Sequence, residues 1–117
     1  MSKSPKTNKK QLIKDITPID ASKLIEKYKD DPNFIILDVR TREEFSEERI
    51  ASAKNLDFYS RNFEEQLEKM DKEKKYLIYC ASGGRSTKTM EMMKDLGFKE
   101  IYNIEGGFTL WCINNLQ

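Results

Sequence analysis

An α/β fold, with a parallel sheet covered by helices on both faces, is what this sequence predicts. Three observations lead there. Strand-like runs alternate with helical segments along the chain. The runs Phe34-Ile35-Ile36-Leu37 and Tyr76-Leu77-Ile78-Tyr79 are uninterrupted by charge, as strands buried on both sides should be. The second run passes through Cys80-Ala81-Ser82-Gly83-Gly84 straight into a helix. In open parallel sheets, sites form at such carboxyl ends of strands.

In order, residues 1 to about 11 are polar and carry Lys3, Lys6, Lys9 and Lys10. They read as a disordered, solubilising tail, and residues 12–117 as one domain. A nucleic-acid arm would call for arginines and interleaved aromatics, which this tail lacks. Residues 12–16 form a first strand. Thr17 caps a helix with Pro18 at its first position and Asp20 in its first turn. Ile19, Leu24, Ile25 and Tyr28 supply its apolar stripe, and Asp30-Asp31-Pro32-Asn33 ends it. After the Phe34 strand, Asp38-Val39-Arg40 leads to a short helix beginning near Thr41. A short strand lies near the end of residues 50–56. Ser60 or Asn62 caps the next helix, which carries Phe63, Leu67 and Met70. Asp71-Lys72-Glu73-Lys74-Lys75 is a solvated connection. The helix after the cysteine loop covers residues 85–96, with Met90, Met93 and Leu96 as packing residues and Gly97 as its stop. Residues 101–104 are the last strand. Gly106-Gly107-Phe108 turns into a final helix with Trp111, Leu116 and Cys112, the last read as a small packing residue.

The chain has 117 residues and a formal net charge of +1. That length suits one domain, and that charge supplies no global field for nucleic acid. No apolar run approaches the roughly 20 residues of a membrane span. The N-terminus, MSKSPKTNKK, lacks the hydrophobic stretch of a signal peptide, so cytoplasmic residence is the expectation. With no histidine and two cysteines, Cys-His and Ser-His pairs and a four-ligand Cys/His zinc site are excluded within the chain. A Cys80–Cys112 disulfide is open on count alone.

The cysteine loop carries the chemistry. A thiolate is the reactive form of cysteine, and an unperturbed thiol is only a few per cent ionised at neutral pH. A helix N-terminus and a guanidinium, here Arg85, both lower a thiol's pKa. Backbone N–H groups of residues 81–86 would point at Cys80 and at whatever it carries, with Gly83 and Gly84 allowing the necessary curl. Gly83-Gly84-Arg85-Ser86-Thr87 lacks the lysine and earlier glycine of a P-loop. Cysteine phosphatases carry a longer loop than the four residues here between cysteine and arginine, so a smaller reacting centre than phosphate is expected.

These residues resemble the single-domain rhodaneses, sulfurtransferases of the thiosulfate:cyanide type. The likeness covers roughly residues 16 to 117. It rests on Cys80-Ala81-Ser82-Gly83-Gly84-Arg85-Ser86, on Asp38-Val39-Arg40 with Glu44-Phe45, and on Gly106-Gly107-Phe108 with Trp111. The resemblance implies a rhodanese-like three-layer α/β domain with a central, mainly parallel five-stranded sheet. It also implies a catalytic Cys80 that cycles through a persulfide. Ala81, Ser82, Gly83, Gly84, Arg85 and Ser86 would bind the substrate. Arg85 would either favour anionic donors or clamp the loop, and Ser86 would cap the helix with its hydroxyl toward the anion. Asp38 and Arg40 would brace neighbouring loops. The donor would be a small sulfur-containing anion, such as thiosulfate, or a persulfide or polysulfide. The acceptor would be cyanide, a thiol or a partner protein. No metal or organic cofactor, nucleic acid or membrane is called for. A persulfide carrier or redox-sensing domain would use the same loop with little turnover. One departure stands out: Glu48-Arg49-Ile50 replaces the usual Gly-His-Ile ahead of Ala53-Lys54-Asn55.

Overall fold

The computed structural model describes residues 11–116. Residues 1–10 of the tail expected to reach about residue 11 lie outside them, while Gln11 is tied down by donating to the carbonyls of Lys94 and Phe98. Five strands, β1 (Leu12–Ile16), β2 (Phe34–Asp38), β3 (Lys54–Asn55), β4 (Lys75–Tyr79) and β5 (Glu100–Ile104), form one sheet in the order β1-β5-β4-β2-β3. Every pairing is parallel. Five helices connect or follow the strands: α1 (Pro18–Lys27), α2 (Arg42–Glu47), α3 (Phe63–Lys69), α4 (Gly84–Asp95) and α5 (Gly107–Ile113). The expected α/β architecture with a five-stranded parallel sheet is the observed one.

The period-two alternation of β4 sorts the core into two layers. Tyr76, Ile78 and Cys80 face one side with Phe63, Leu67 and Met93; Leu77 and Tyr79 face the other with Ala21 and Trp111. Met93 is fully buried, so its truncation to alanine would cost about 2–5 kcal/mol. Tyr76 packs edge-on against Phe98 with ring centroids 5.3 Å apart.

Local chemistry explains the element ends. The Thr17 hydroxyl accepts from the Asp20 N–H ahead of Pro18. Thr41 and Glu44 close a reciprocal capping box on α2. Asn62 stands at the cap of α3 but its side chain makes no capping bond. Gly97 adopts a φ of +93°, ending the α4 segment as the sequence indicated.

Two expectations fail. Ile19 is 51% exposed, because at about 3.6 residues per turn it lies on the side of α1 opposite Ala21, Leu24 and Ile25, which face the core. Cys112 is exposed and does not pack; Trp111 occupies the inward position beside it. Among the described residues, no helix is long and apolar enough to cross a membrane.

A candidate active site at the Cys80 loop

β4 delivers Cys80 to the carboxyl edge of the sheet with its side chain on the α3–α4 face. The loop then doubles back. Gly83 makes the turn at φ +119°, a left-handed conformation that disfavours any side chain, and is the N-cap of α4. Its N–H reaches Cys80 Sγ at 3.1 Å, and the Ser86 N–H donates to the same sulfur at 3.3 Å. The first N–H groups of a helix have no partner within it. Glycine offers no capping side chain, so the cysteine sulfur takes the capping acceptor's place.

Ser86, expected to cap the helix with its hydroxyl toward the anion, is instead the third residue of α4 behind the Gly83 N-cap, fully buried and with its hydroxyl toward the sulfur. Its hydroxyl lies 3.5 Å from Cys80 Sγ and donates to the Gly83 carbonyl at 3.3 Å. Burial pushes the Cys80 thiol up. Hydrogen bonding with the Ser86 hydroxyl and from the N–H groups of Ser86, Gly83 and Ser82 more than offsets it, so the thiol lies below its ordinary value.

The loop is also held from behind. The N–H groups of Phe108 and Thr109, at the start of α5, donate to the carbonyls of Cys80 and Ala81 at 2.8 and 2.9 Å. This approach requires Gly107. A Cβ there would stand 2.4 Å from the Cys80 carbonyl oxygen and 2.6 Å from that of Ala81, at a φ of +59°. By contrast, nothing lies within 4 Å of a Cβ placed on Gly84. Ser82 is exposed at the loop surface.

Arg85 points at a carboxylate. Its guanidinium donates to both oxygens of Glu44, at 2.9 and 3.2 Å. Glu44 Oε1 also accepts from the Thr41 N–H and hydroxyl at 2.8 and 3.0 Å. The Arg85 bond is the chief reason the Glu44 carboxyl is lowered to about 2. The Tyr59 ring, 69% exposed, stands 5.7 Å from the guanidinium. Sequence reading noted Glu44 only as a motif residue. Its capping-box spacing from Thr41 explains it locally and hides a partner 41 positions away.

Asp38 and Arg40 pair with each other. Arg40 Nη2 and Nε donate to Asp38 Oδ2 at 2.7 and 3.0 Å, and the Arg40 N–H donates to Oδ1 at 2.8 Å. Arg40 Nη2 also reaches the Glu48 carbonyl at 2.6 Å, and its guanidinium lies 4.5 Å from the Phe108 ring centroid. Asn55 donates to the carbonyls of both Asp38 and Arg40. The pair thus ties β2 to the 48–55 segment and touches the start of α5.

The Glu48-Arg49 departure is accommodated on the surface. Glu48 is extended, with φ −164°, so no glycine is needed there, and it presents its carbonyl to Arg40. Arg49 donates to the Phe45 carbonyl at 3.1 Å and lies over the Phe45 ring. Ile50 donates its N–H to the buried Tyr79 hydroxyl. Both cysteines are free thiols, so the disulfide is not formed.

Known proteins resemble this arrangement. The sequence profile of the rhodanese-like domain matches residues 17–114. The thiosulfate sulfurtransferase GlpE of Coxiella burnetii is 36% identical over 100 residues, covering 86% of this chain and 88% of that protein. A putative sulfurtransferase of Bacillus subtilis, YtwF, is 34% identical over 97 residues, covering 83% and 91%. Among solved structures, a rhodanese-like domain protein from Staphylococcus aureus superimposes with a TM-score of 0.68 at 33% identity, covering 84% of this chain and 90% of that one. By profile, by identity over most of its length and by fold, the chain belongs to the rhodanese-like domain family.

Proposed function

We propose that the protein is a sulfurtransferase that carries a sulfane sulfur on Cys80 as a persulfide. The donor is thiosulfate, or a persulfide or polysulfide; the acceptor is cyanide or a thiol. The observation that carries this reading is the convergence of the Gly83 and Ser86 N–H groups on Cys80 Sγ. That convergence stabilises a sulfur anion without any histidine in the chain.

In the first half-reaction the Cys80 thiolate attacks the donor's outer sulfur. A new S–S bond forms, the donor's bond to that sulfur breaks, and its electron pair leaves with the rest of the donor. With thiosulfate the leaving group is sulfite. The outer sulfur of the resulting persulfide is bonded to Sγ at about 2.05 Å. The Ser86 hydroxyl can turn its proton from the Gly83 carbonyl to the sulfur anion. In the second half-reaction cyanide attacks the outer sulfur, thiocyanate departs and the thiolate returns. A thiol acceptor takes the sulfur as a persulfide in the same way. Asp38 and Arg40 act at a distance by holding the loops around the site.

Intact mass after incubation with donor tests the proposal. One added sulfur, removed by cyanide and absent from Cys80→Ser, is the expected result. No cyanide-sensitive adduct on the parent protein would overturn it. Steady thiocyanate formation separates an enzyme from a carrier that loads one sulfur and stops.

A further inference from the structure

The entrance to the Cys80 loop bears on the donor. Both guanidiniums built into the site are matched by carboxylates: Arg40 by Asp38 and Arg85 by Glu44. Ala81, Ser82, Gly83 and Gly84 carry no charge. Glu44 is fixed by two further hydrogen bonds from Thr41, so it is not free to swing away from Arg85. A thiolate attacking a dianion such as thiosulfate brings three negative charges together. Here the guanidinium of the loop is already paired with a carboxylate, which leaves the loop's own N–H dipoles to offset them. Beside that ion pair stands the exposed ring of Tyr59, stacked edge-on with Phe58 at 5.4 Å. An aromatic rim next to a charge-compensated clamp suits an apolar body with at most one charge.

We propose that the preferred sulfur donor is an organic persulfide, its carbon group seated against Tyr59, and that the Glu44–Arg85 pair disfavours thiosulfate. This inference rests on the sulfur-transfer reading above and narrows its donor. The step is balanced. Cys80 thiolate attacks the terminal sulfur of R–S–SH, the S–S bond between the two donor sulfurs breaks, and RS⁻ leaves with the electron pair. RS⁻ then takes the proton from the new Cys80–S–SH, giving RSH and the bound persulfide anion. In this assignment Glu44 is a positioning residue: it acts through Arg85 and does not touch the donor.

The test is the rate of Cys80 loading, followed by intact mass, with benzyl persulfide and with thiosulfate. Benzyl persulfide should load the parent protein on the order of tenfold faster, the scale of one poorly screened charge. Glu44→Gln frees Arg85, so it should raise the thiosulfate-to-benzyl-persulfide rate ratio on the order of tenfold and steepen the salt dependence of the thiosulfate reaction. A surface variant, Tyr59→Ala, should lower the benzyl persulfide rate about fivefold relative to thiosulfate, as loss of one aromatic contact does. Faster loading by thiosulfate, or a ratio unmoved by both variants, overturns the donor assignment while leaving sulfur transfer standing. No adduct from either donor overturns sulfur transfer itself.

Discussion

Cys80 and Cys112 are the same residue under opposite conditions. Cys80 is 1% exposed, yet its thiol is lowered; Cys112 is exposed, yet its thiol is raised. For Cys112, partial desolvation leads, and the Glu48 charge adds to it while Arg40 opposes. For Cys80, burial also pushes upward, but four hydrogen bonds reverse the sign. Accessibility therefore does not track which thiol is lowered in this chain. Directed N–H groups do, and they exist because a strand, a glycine turn and a helix start meet at one sulfur.

The sharpest way to break the contrast is to exchange sulfur for oxygen at each site. Cys80→Ser should lose all sulfur loading and thiocyanate formation, whereas Cys112→Ser should keep both. Equal loss in the two variants would end the distinction. Next in size is Gly107→Ala, whose methyl group would overlap the carbonyls of Cys80 and Ala81. We expect about 100-fold lower turnover and about 2–3 kcal/mol lower stability, read by thiocyanate assay and denaturant unfolding. Gly84→Ala meets open space, so its stability should stay within about 1 kcal/mol of the parent.

Ser86→Ala addresses the thiol directly. The thiolate ultraviolet absorbance of Cys80, followed in a Cys112→Ser background, should titrate below an ordinary thiol, and removing the Ser86 hydroxyl should move its midpoint upward. Because the folded value is depressed, the thiolate stabilises the folded state above the unfolded thiol's pKa, and this contribution fades as pH falls through the folded value. The stability deficit of Ser86→Ala should therefore widen as pH rises. The smallest effect belongs to Glu44. Its carboxyl moves from 4.5 down to about 2, so the stability that Glu44→Gln lacks should be fully missing above about 4.5 and the gap should close as pH falls toward 2. Thermal melts across that window measure it. A gap that persists at pH 2 would show that the ionised carboxylate is not the source.

Much of this was legible in one dimension. Apolar runs marked β2 and β4, and the order strand, cysteine, glycines and helix marked the loop, because each is a local consequence of residue type. The contacts that finish the site were not legible. The Glu44–Arg85 pair joins residues whose separation only the fold can close. The clamp from Phe108 and Thr109 uses backbone N–H groups, which every residue but proline carries and no side chain announces. Ser86 had the chemistry of a cap, but Gly83 takes the cap position and Ser86 stands in the first turn, where its hydroxyl faces the sulfur. Ile19 and Cys112 failed for a different reason. The helices α1 and α5 start where expected, but at about 3.6 residues per turn Ile19 falls opposite Ala21, Leu24 and Ile25, and Cys112 falls outside the face that Trp111 buries.

The clamp at the start of α5 also sets a schedule. Residues 108 and 109 leave a ribosome after Cys80, by roughly one to several seconds at ordinary synthesis rates of about 5–20 residues per second. Until they arrive, the carbonyls of Cys80 and Ala81 have no α5 partner and the loop has no backing. The last helix to be synthesised is thus the one that backs the cysteine loop from behind.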